Sequence, residues 1–292
     1  MTRNIARHVG RSLRFRSRRR IQSVGRQIHG TRLRVRHRRI RVYGVGIMKT
    51  GTTTLARMFN KPYVGEHEIE YFRIVPVAIA ALQGRADPAL VERELRRRDR
   101  RFGVDVDSAH FLGEFIPELA GLFPDARFVL TIRDCFSWLD SAVDAHARGV
   151  PPPGVFREYR GARFNPHPGD VGSGDDVLAE HAVPPVLTLL RHWASANKKR
   201  LADAPADRTL VIRTEDLDAS ASVLAAFSGA DPDAVCPSHA NVTSRRLGLL
   251  AAVPTERVLD CAEGLCAPIM EQYWGSGWRD LMSRIGADCA SS

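Results

Sequence analysis

Four short, almost continuously apolar runs punctuate this chain: 41–47, 102–106, 127–132 ("RFVLTI") and 209–212 ("TLVI"). Each is followed by a segment of helical spacing. Strands with no polar alternation are buried on both faces, and strands alternating with helices close into a parallel sheet with helices above and below. The expected fold class is therefore α/β, with a central, mainly parallel sheet flanked by helices in three layers. In such a fold ligands bind beyond the carboxyl ends of the strands. The loops after Ile47, Ile132 and Ile212 are expected to meet there.

Helices are expected over Thr52–Asn60, Phe72–Gln83, Asp87–Arg101 (started by Asp87-Pro88), Glu114–Phe123, Phe136–Arg148, Asp176–Leu201 with a break at Pro184-Pro185, Asp216–Phe227 and Glu256–Tyr273. Asp216 reads as the cap of its helix. Val150–Ser173, rich in Pro, Gly and Arg, reads as a long surface loop. Its Phe156, Tyr159 and Phe164 are expected to shape a pocket as a lid. Cys236–Gly248 reads as a second loop.

The net charge of +10 is unevenly placed. Residues 1–41 hold 15 Arg, no Lys and no acid, leaving 28 basic against 33 acidic residues. The expected organisation is thus an Arg-rich arm over 1–40 and one catalytic domain over 41–292. The arm could meet nucleic acid or an anionic membrane, act as a targeting segment, or be unstructured. It lacks the apolar core of a secretory signal, and no apolar run is long enough to span a bilayer. Five scattered Cys without C-x-x-C or Cys/His ligand spacing read as free thiols in a reducing, cytoplasmic setting, with no metal site expected.

Chemistry concentrates in three places. In "GIMKTGTTTL", Gly51 can let backbone amides face an anion at a helix start, the hydroxyls of Thr52, Thr53 and Thr54 add donors, and Lys49 adds a cation. A triphosphate loop carries Lys after its second Gly; here Lys49 precedes Gly51 and Thr52 follows it. In "FVLTIRDCFSWLDSAVD", Arg133 ends a strand, and Ser137 and Ser141 share a face of the next helix. Arg133 and Ser141 could clamp a second phosphate. In "TLVIRTEDL", Glu215 can support the loop.

Together these segments resemble the PAPS-dependent sulfotransferase family, whose 5′-phosphosulfate loop reads like P-K-[ST]-G-[ST]-[ST]. Here that stretch is Met48-Lys49-Thr50-Gly51-Thr52-Thr53. The family's 3′-phosphate motif, an Arg at a strand end and a Ser eight residues on, is matched by Arg133 and Ser141, and its Y-E-D-L-like stretch by "TEDL". The resemblance covers roughly residues 41–250. It implies a P-loop-like fold and transfer of a sulfuryl group from 3′-phosphoadenosine-5′-phosphosulfate (PAPS) to a hydroxyl or amine of a small-molecule or glycoside acceptor, leaving the 3′,5′-bisphosphate PAP. Lys49 would bind the phosphosulfate bridge. Thr50, Gly51, Thr52, Thr53 and Thr54 would form the 5′-phosphate loop, and Arg133 with Ser141 would hold the 3′-phosphate. Asn241, Arg245 and Arg246 in "SHANVTSRRLG" stand where the family closes a loop on that phosphate. Met48 departs from the usual Pro. Thr54 departs from the usual aromatic, leaving the adenine without a stacking partner in this loop.

The acceptor must lose a proton, and two segments compete to supply the base. "GEHEIEYF" offers Glu68 and His67, and "DVDSAHFLG" offers His110. The family often dimerises, which leaves a homodimer open. Two other classes remain: a P-loop nucleotide kinase or NTPase, and a non-enzymatic nucleic-acid or lipid binder using the arm.

Overall fold

The sheet is built outward from β1 (Val42–Gly44). β3 (Val106–Ser108) pairs with it on one side and β4 (Arg127–Ile132) on the other. β2 (Gly65–His67) lies beyond β3, and β5 (Thr209–Arg213) beyond β4. The order is β2-β3-β1-β4-β5, with every pair parallel. The chain crosses over β1 between β3 and β4, so the crevice for a ligand falls at the carboxyl end of β1. The computed structural model describes residues 37–149, 154–238 and 247–285. The Arg-rich arm through residue 36, and Asn241, Arg245 and Arg246, lie outside them.

Both faces of the sheet are covered, as the unbroken apolar runs require. Tyr43, Phe128, Leu130 and Ile132 point into the larger core. It contains residues of α2 (Tyr71–Leu82), α3 (Pro88–Phe102), α4 (Ile116–Leu122), α5 (Cys135–Ala147), α6 (Val155–Arg163), α7 (Asp175–Glu180), α8 (Val186–Asp203) and α10 (Thr255–Trp274). Val42 and Val129 point the other way, against α1 (Thr52–Met58) and α9 (Ala221–Ser228). The period-2 direction of strand side chains thus sorts neighbouring residues into two cores. Among the described residues no helix is long and apolar enough to cross a membrane.

Asp105 ties the entry of β1 to β2 and β3. Its side chain is buried and accepts from the amides of Arg39 (2.8 Å), Ile40 (3.3 Å) and Val64 (2.9 Å). Asp105→Ala orphans these amides, at about 1–3 kcal/mol for each one left dry. We expect urea unfolding to show a loss of about 3 kcal/mol or more, with Asp105→Asn recovering part of it through its remaining carbonyl oxygen. A midpoint unchanged in the alanine variant would contradict this role.

Three sequence expectations need correction. The span 150–173 is not simply a surface loop: it holds α6, and Phe156, Tyr159 and Phe164 are buried in the main core. Phe156, Tyr159 and Arg163 recur at helical spacing, and the surrounding Pro and Gly masked that period. The strand expected at 102–106 starts later. α3 runs on to Phe102, Gly103 closes it in a left-handed turn (φ 55°), and β3 begins at Val106. Asp216 caps no helix. It ends a 3-10 turn, Thr214–Asp216, and accepts from Arg213 Nε (2.6 Å), while α9 starts at Ala221. The break at Pro184-Pro185 does separate α7 from α8.

Candidate active site

The turn from β1 to α1 is held by its carbonyl oxygens. Ile47 O accepts from Thr50 Oγ1 (2.7 Å), Met48 O from Trp138 Nε1 (2.8 Å), Lys49 O from an Arg133 Nη (3.4 Å) and Thr50 O from Thr214 Oγ1 (2.9 Å). Gly51 O accepts from the Leu55 amide, the first bond of α1 (2.9 Å). With five successive carbonyls engaged by protein donors, the loop's negative dipole ends are spoken for. The amides that open α1 have no carbonyl a turn earlier to bond within the helix. A concave turn of this kind favours an anion.

The turn also has unusual backbone. Gly51 lies at φ 91°, where only glycine is unstrained, and Lys49 at φ 66° without that freedom. Gly46 is needed for close approach: a Cβ there would stand 2.1 Å from Thr131 Oγ1 and 2.6 Å from Thr50 Oγ1. Those two hydroxyls are themselves bonded at 2.9 Å, locking the loop onto β4.

Thr50 therefore stands differently from its expected role among the anion-binding groups. It is completely buried, and its hydroxyl and carbonyl are both used inside the protein. Its part is to shape the loop.

Arg133 leaves β4 beside this turn. Its Nε donates to Ser137 Oγ (2.9 Å), its carbonyl accepts from Trp193 Nε1 (3.0 Å), and Ser137 is also bonded to Asp134, the cap of α5. Ser141 lies one turn further along the same helix face and is half-buried. Thr214, from the end of β5, bonds the carbonyls of Thr50 and Ile132 (2.9 and 3.0 Å). The three loops expected to meet do so through these bonds.

On the other side of β1, the two rival sources of a base form one cluster. β2 and β3 pair in parallel, with His67 opposite Ser108, so the segments after them converge. Glu68 Oε1 is 2.8 Å from His110 Nδ1 and 3.7 Å from His67 Nε2. His67 Nε2 is 3.1 Å from Thr52 Oγ1 and 3.4 Å from Thr53 Oγ1, which joins the cluster to the turn after β1. Glu68 sits at φ 53°, a second non-glycine residue held in left-handed backbone at this centre.

Burial is the main cause holding both histidines below their ordinary 6.5; Glu68 opposes it in each case, and for His110 it does so by a direct hydrogen bond. Both rings are therefore neutral at pH 7. A neutral His110 that donates from Nδ1 to the carboxylate keeps its lone pair on Nε2. Phe156 stacks on this ring at 6.0 Å and Tyr159 leans on it at 5.5 Å, so α6 walls the site. Among the described residues no group of three or more His, Cys, Asp or Glu is arranged to hold a metal ion.

Several residues that build the site are not evident from its motifs. Trp138 and Trp193 look like ordinary core in the sequence; each uses its indole N–H to hold a carbonyl, that of Met48 or of Arg133. Thr214 was visible only as part of "TEDL". No local spacing signals that Glu68 and His110, 42 residues apart, are hydrogen-bonded.

A five-stranded parallel sheet with helices on both faces and a carbonyl-braced turn after its first strand is a P-loop-like α/β fold. Residues 41–155 match the family profile described as a sulfotransferase domain. A sulfotransferase structure from Alicyclobacillus acidocaldarius is 18% identical, with a TM-score of 0.47 over 82% of this chain and 99% of that one. The sulfotransferase domain from the curacin biosynthetic pathway is 11% identical, with a TM-score of 0.41 over 88% and 99%. No protein of curated function matches the sequence.

Proposed function

We propose that this chain transfers the sulfuryl group of PAPS to a hydroxyl or amine of a small-molecule or glycoside acceptor, by in-line displacement. The observation that carries the reading is the convergence at the end of β1. The braced loop carries Lys49 and is bonded by the Arg133 side chain, and the Glu68–His110 pair adjoins His67, which is bonded to the loop's Thr52. Sulfuryl transfer between oxygens calls for positioned cations, amides and one base rather than a covalent intermediate.

In this reading Gly51, Thr52 and Thr53 bind the 5′-phosphate through backbone amides and hydroxyls. Lys49 neutralises charge growing on the bridging oxygen as the S–O bond breaks. Arg133 holds the 3′-phosphate, with Ser137 or Ser141 donating beside it. His110 Nε2 takes the proton of the acceptor as its oxygen attacks sulfur, while Glu68 fixes the tautomer. His67 is committed to the loop threonines, so its role is to position Thr52 and Thr53 against the phosphate. A triphosphate reading fits less well, because Thr52 occupies the place of the loop lysine and Arg133 the strand end where a metal-binding carboxylate would stand.

The test is calorimetric titration of PAP into the full chain without magnesium. We expect one site, with affinity reduced about 10- to 100-fold in Arg133→Ala, as for loss of a charge-assisted bond. Absence of PAP binding, together with magnesium-dependent ATP turnover, would overturn the assignment.

A further inference from the structure

Behind Tyr159, away from the phosphate loop, lies a group of basic side chains with too few acids. His146 of α5 is 2% exposed, and neither ring nitrogen has a hydrogen-bond partner. Phe164 packs between it and His192 of α8, at 4.8 and 4.6 Å. Arg163 of α6 lies over Tyr159 at 4.8 Å and sends one Nη to within 2.8 Å of His192 Nε2. Its Nε is buried without a partner, as is Nη1 of Arg160 one turn earlier.

Among the described residues neither Arg160 nor Arg163 forms an ion pair. The carboxylate felt most at Arg163 is Glu114, and that group is already bonded to Arg200 (3.1 Å) and Tyr159 (3.3 Å). Burial, reinforced by Arg160 and Arg163, pushes His146 down to about 3, so at neutral pH it is a neutral ring that can donate one N–H. A buried N–H left without a partner is costly, and native proteins rarely leave one so. A bound oxyanion answers the imbalance, accepting the orphaned N–H groups of Arg160, Arg163 and His146.

The cluster is one ring away from the proposed base: Tyr159 contacts His110 at 5.5 Å on one side and carries Arg163 on the other. Trp138, whose indole holds Met48 O, faces His192 at 6.3 Å. We infer that His146, Arg160, Arg163 and His192 form the acceptor's anion subsite, so that the acceptor carries a carboxylate, sulfate or phosphate group apart from the hydroxyl that is sulfated. This rests on the sulfotransfer reading for the word acceptor; the oxyanion site itself does not.

The two parts separate in one experiment. Sodium sulfate is titrated into the full chain at constant ionic strength by calorimetry, for the wild type, Lys49→Ala, Arg160→Gln and Arg163→Gln, each with and without PAP. We expect two sulfate sites in the wild type: one lost in Lys49→Ala and displaced by PAP, the other retained with PAP but weakened about 10- to 100-fold by either arginine substitution. If Arg163→Gln fails to fold, half-exposed Arg160→Gln carries the test. Wild-type sulfate binding in the arginine variants, or loss of all sulfate binding in Lys49→Ala, would overturn the subsite. A Lys49-dependent sulfate that PAP does not displace would count against the PAPS reading and leave the subsite standing.

To tell an acceptor group from a free inorganic anion, 4-hydroxyphenylacetate is compared with 4-methylphenol, both as binders by calorimetry in the presence of PAP and as acceptors with PAPS. The carboxylate compound should be preferred in both measurements, and Arg163→Gln should erase the preference. Sulfate binding with no such preference would overturn the acceptor assignment.

Discussion

Lys49→Ala should reduce sulfuryl transfer by at least about 100-fold while leaving the protein folded, the size seen when one preorganised charge-stabilising group is removed from an active site. Lys49 sits in left-handed backbone at φ 66°, and its carbonyl is anchored by Arg133, so its Cα is fixed whatever side chain it bears. Alanine has the same Cβ and inherits the same backbone strain. Its thermal midpoint should therefore stay close to that of the wild type. Lys49→Gly separates the two roles further, since glycine is at ease at this φ. A left-handed non-glycine residue costs about 1–2 kcal/mol, so the glycine variant should gain up to about that amount in stability, less the added freedom of its unfolded chain, and still be inactive. A strained residue whose relief stabilises the protein but stops the reaction is held there for the reaction. An alanine variant retaining more than a tenth of the activity would remove Lys49 from the transition state.

Much of this centre was legible because its parts are local. A strand, a Gly/Thr turn and a helix are contiguous in 41–59, and the arginine that ends β4 follows five buried residues in a row. Period and spacing suffice for such features. The sheet order was not legible, because nothing in a strand's own residues says which neighbour it will take. The Glu68–His110 contact was missed for the same reason. Glu68 and His110 stand at the ends of β2 and β3, and only the parallel pairing of those strands brings them to 2.8 Å. The error over 150–173 had a different origin. Gly and Pro outweighed the helical period of Phe156, Tyr159 and Arg163, yet burial of the two rings at 6% and 1% exposure decides the conformation. Tertiary burial overrode local composition there, as it does for many short helices.

The Glu68–His110 pair gives the other large effect. Proton removal by a positioned base contributes about 10²- to 10⁴-fold to the rate, so His110→Ala should lower kcat by an amount in that range without changing PAP affinity. Glu68→Gln keeps an oxygen able to accept from His110 Nδ1 but loses the charge that stabilises the imidazolium, and should lower kcat by less. The double variant should be no worse than His110→Ala alone, because the two act as one unit. The pH profile fixes which of them takes the proton. His110 is drawn below 6.5 by burial, against the opposing pull of Glu68. With neutral His110 as the proposed base, kcat/KM should be flat above 6.5 and fall only as the pH drops below that value into the lowered range. Removing the carboxylate removes the contribution that raises the histidine. In Glu68→Gln the acid limb should then move to still lower pH, even as the plateau rate declines. If Glu68 itself were the base, His110→Ala would retain more activity than Glu68→Gln, and the acid limb would vanish in the glutamine variant rather than shift.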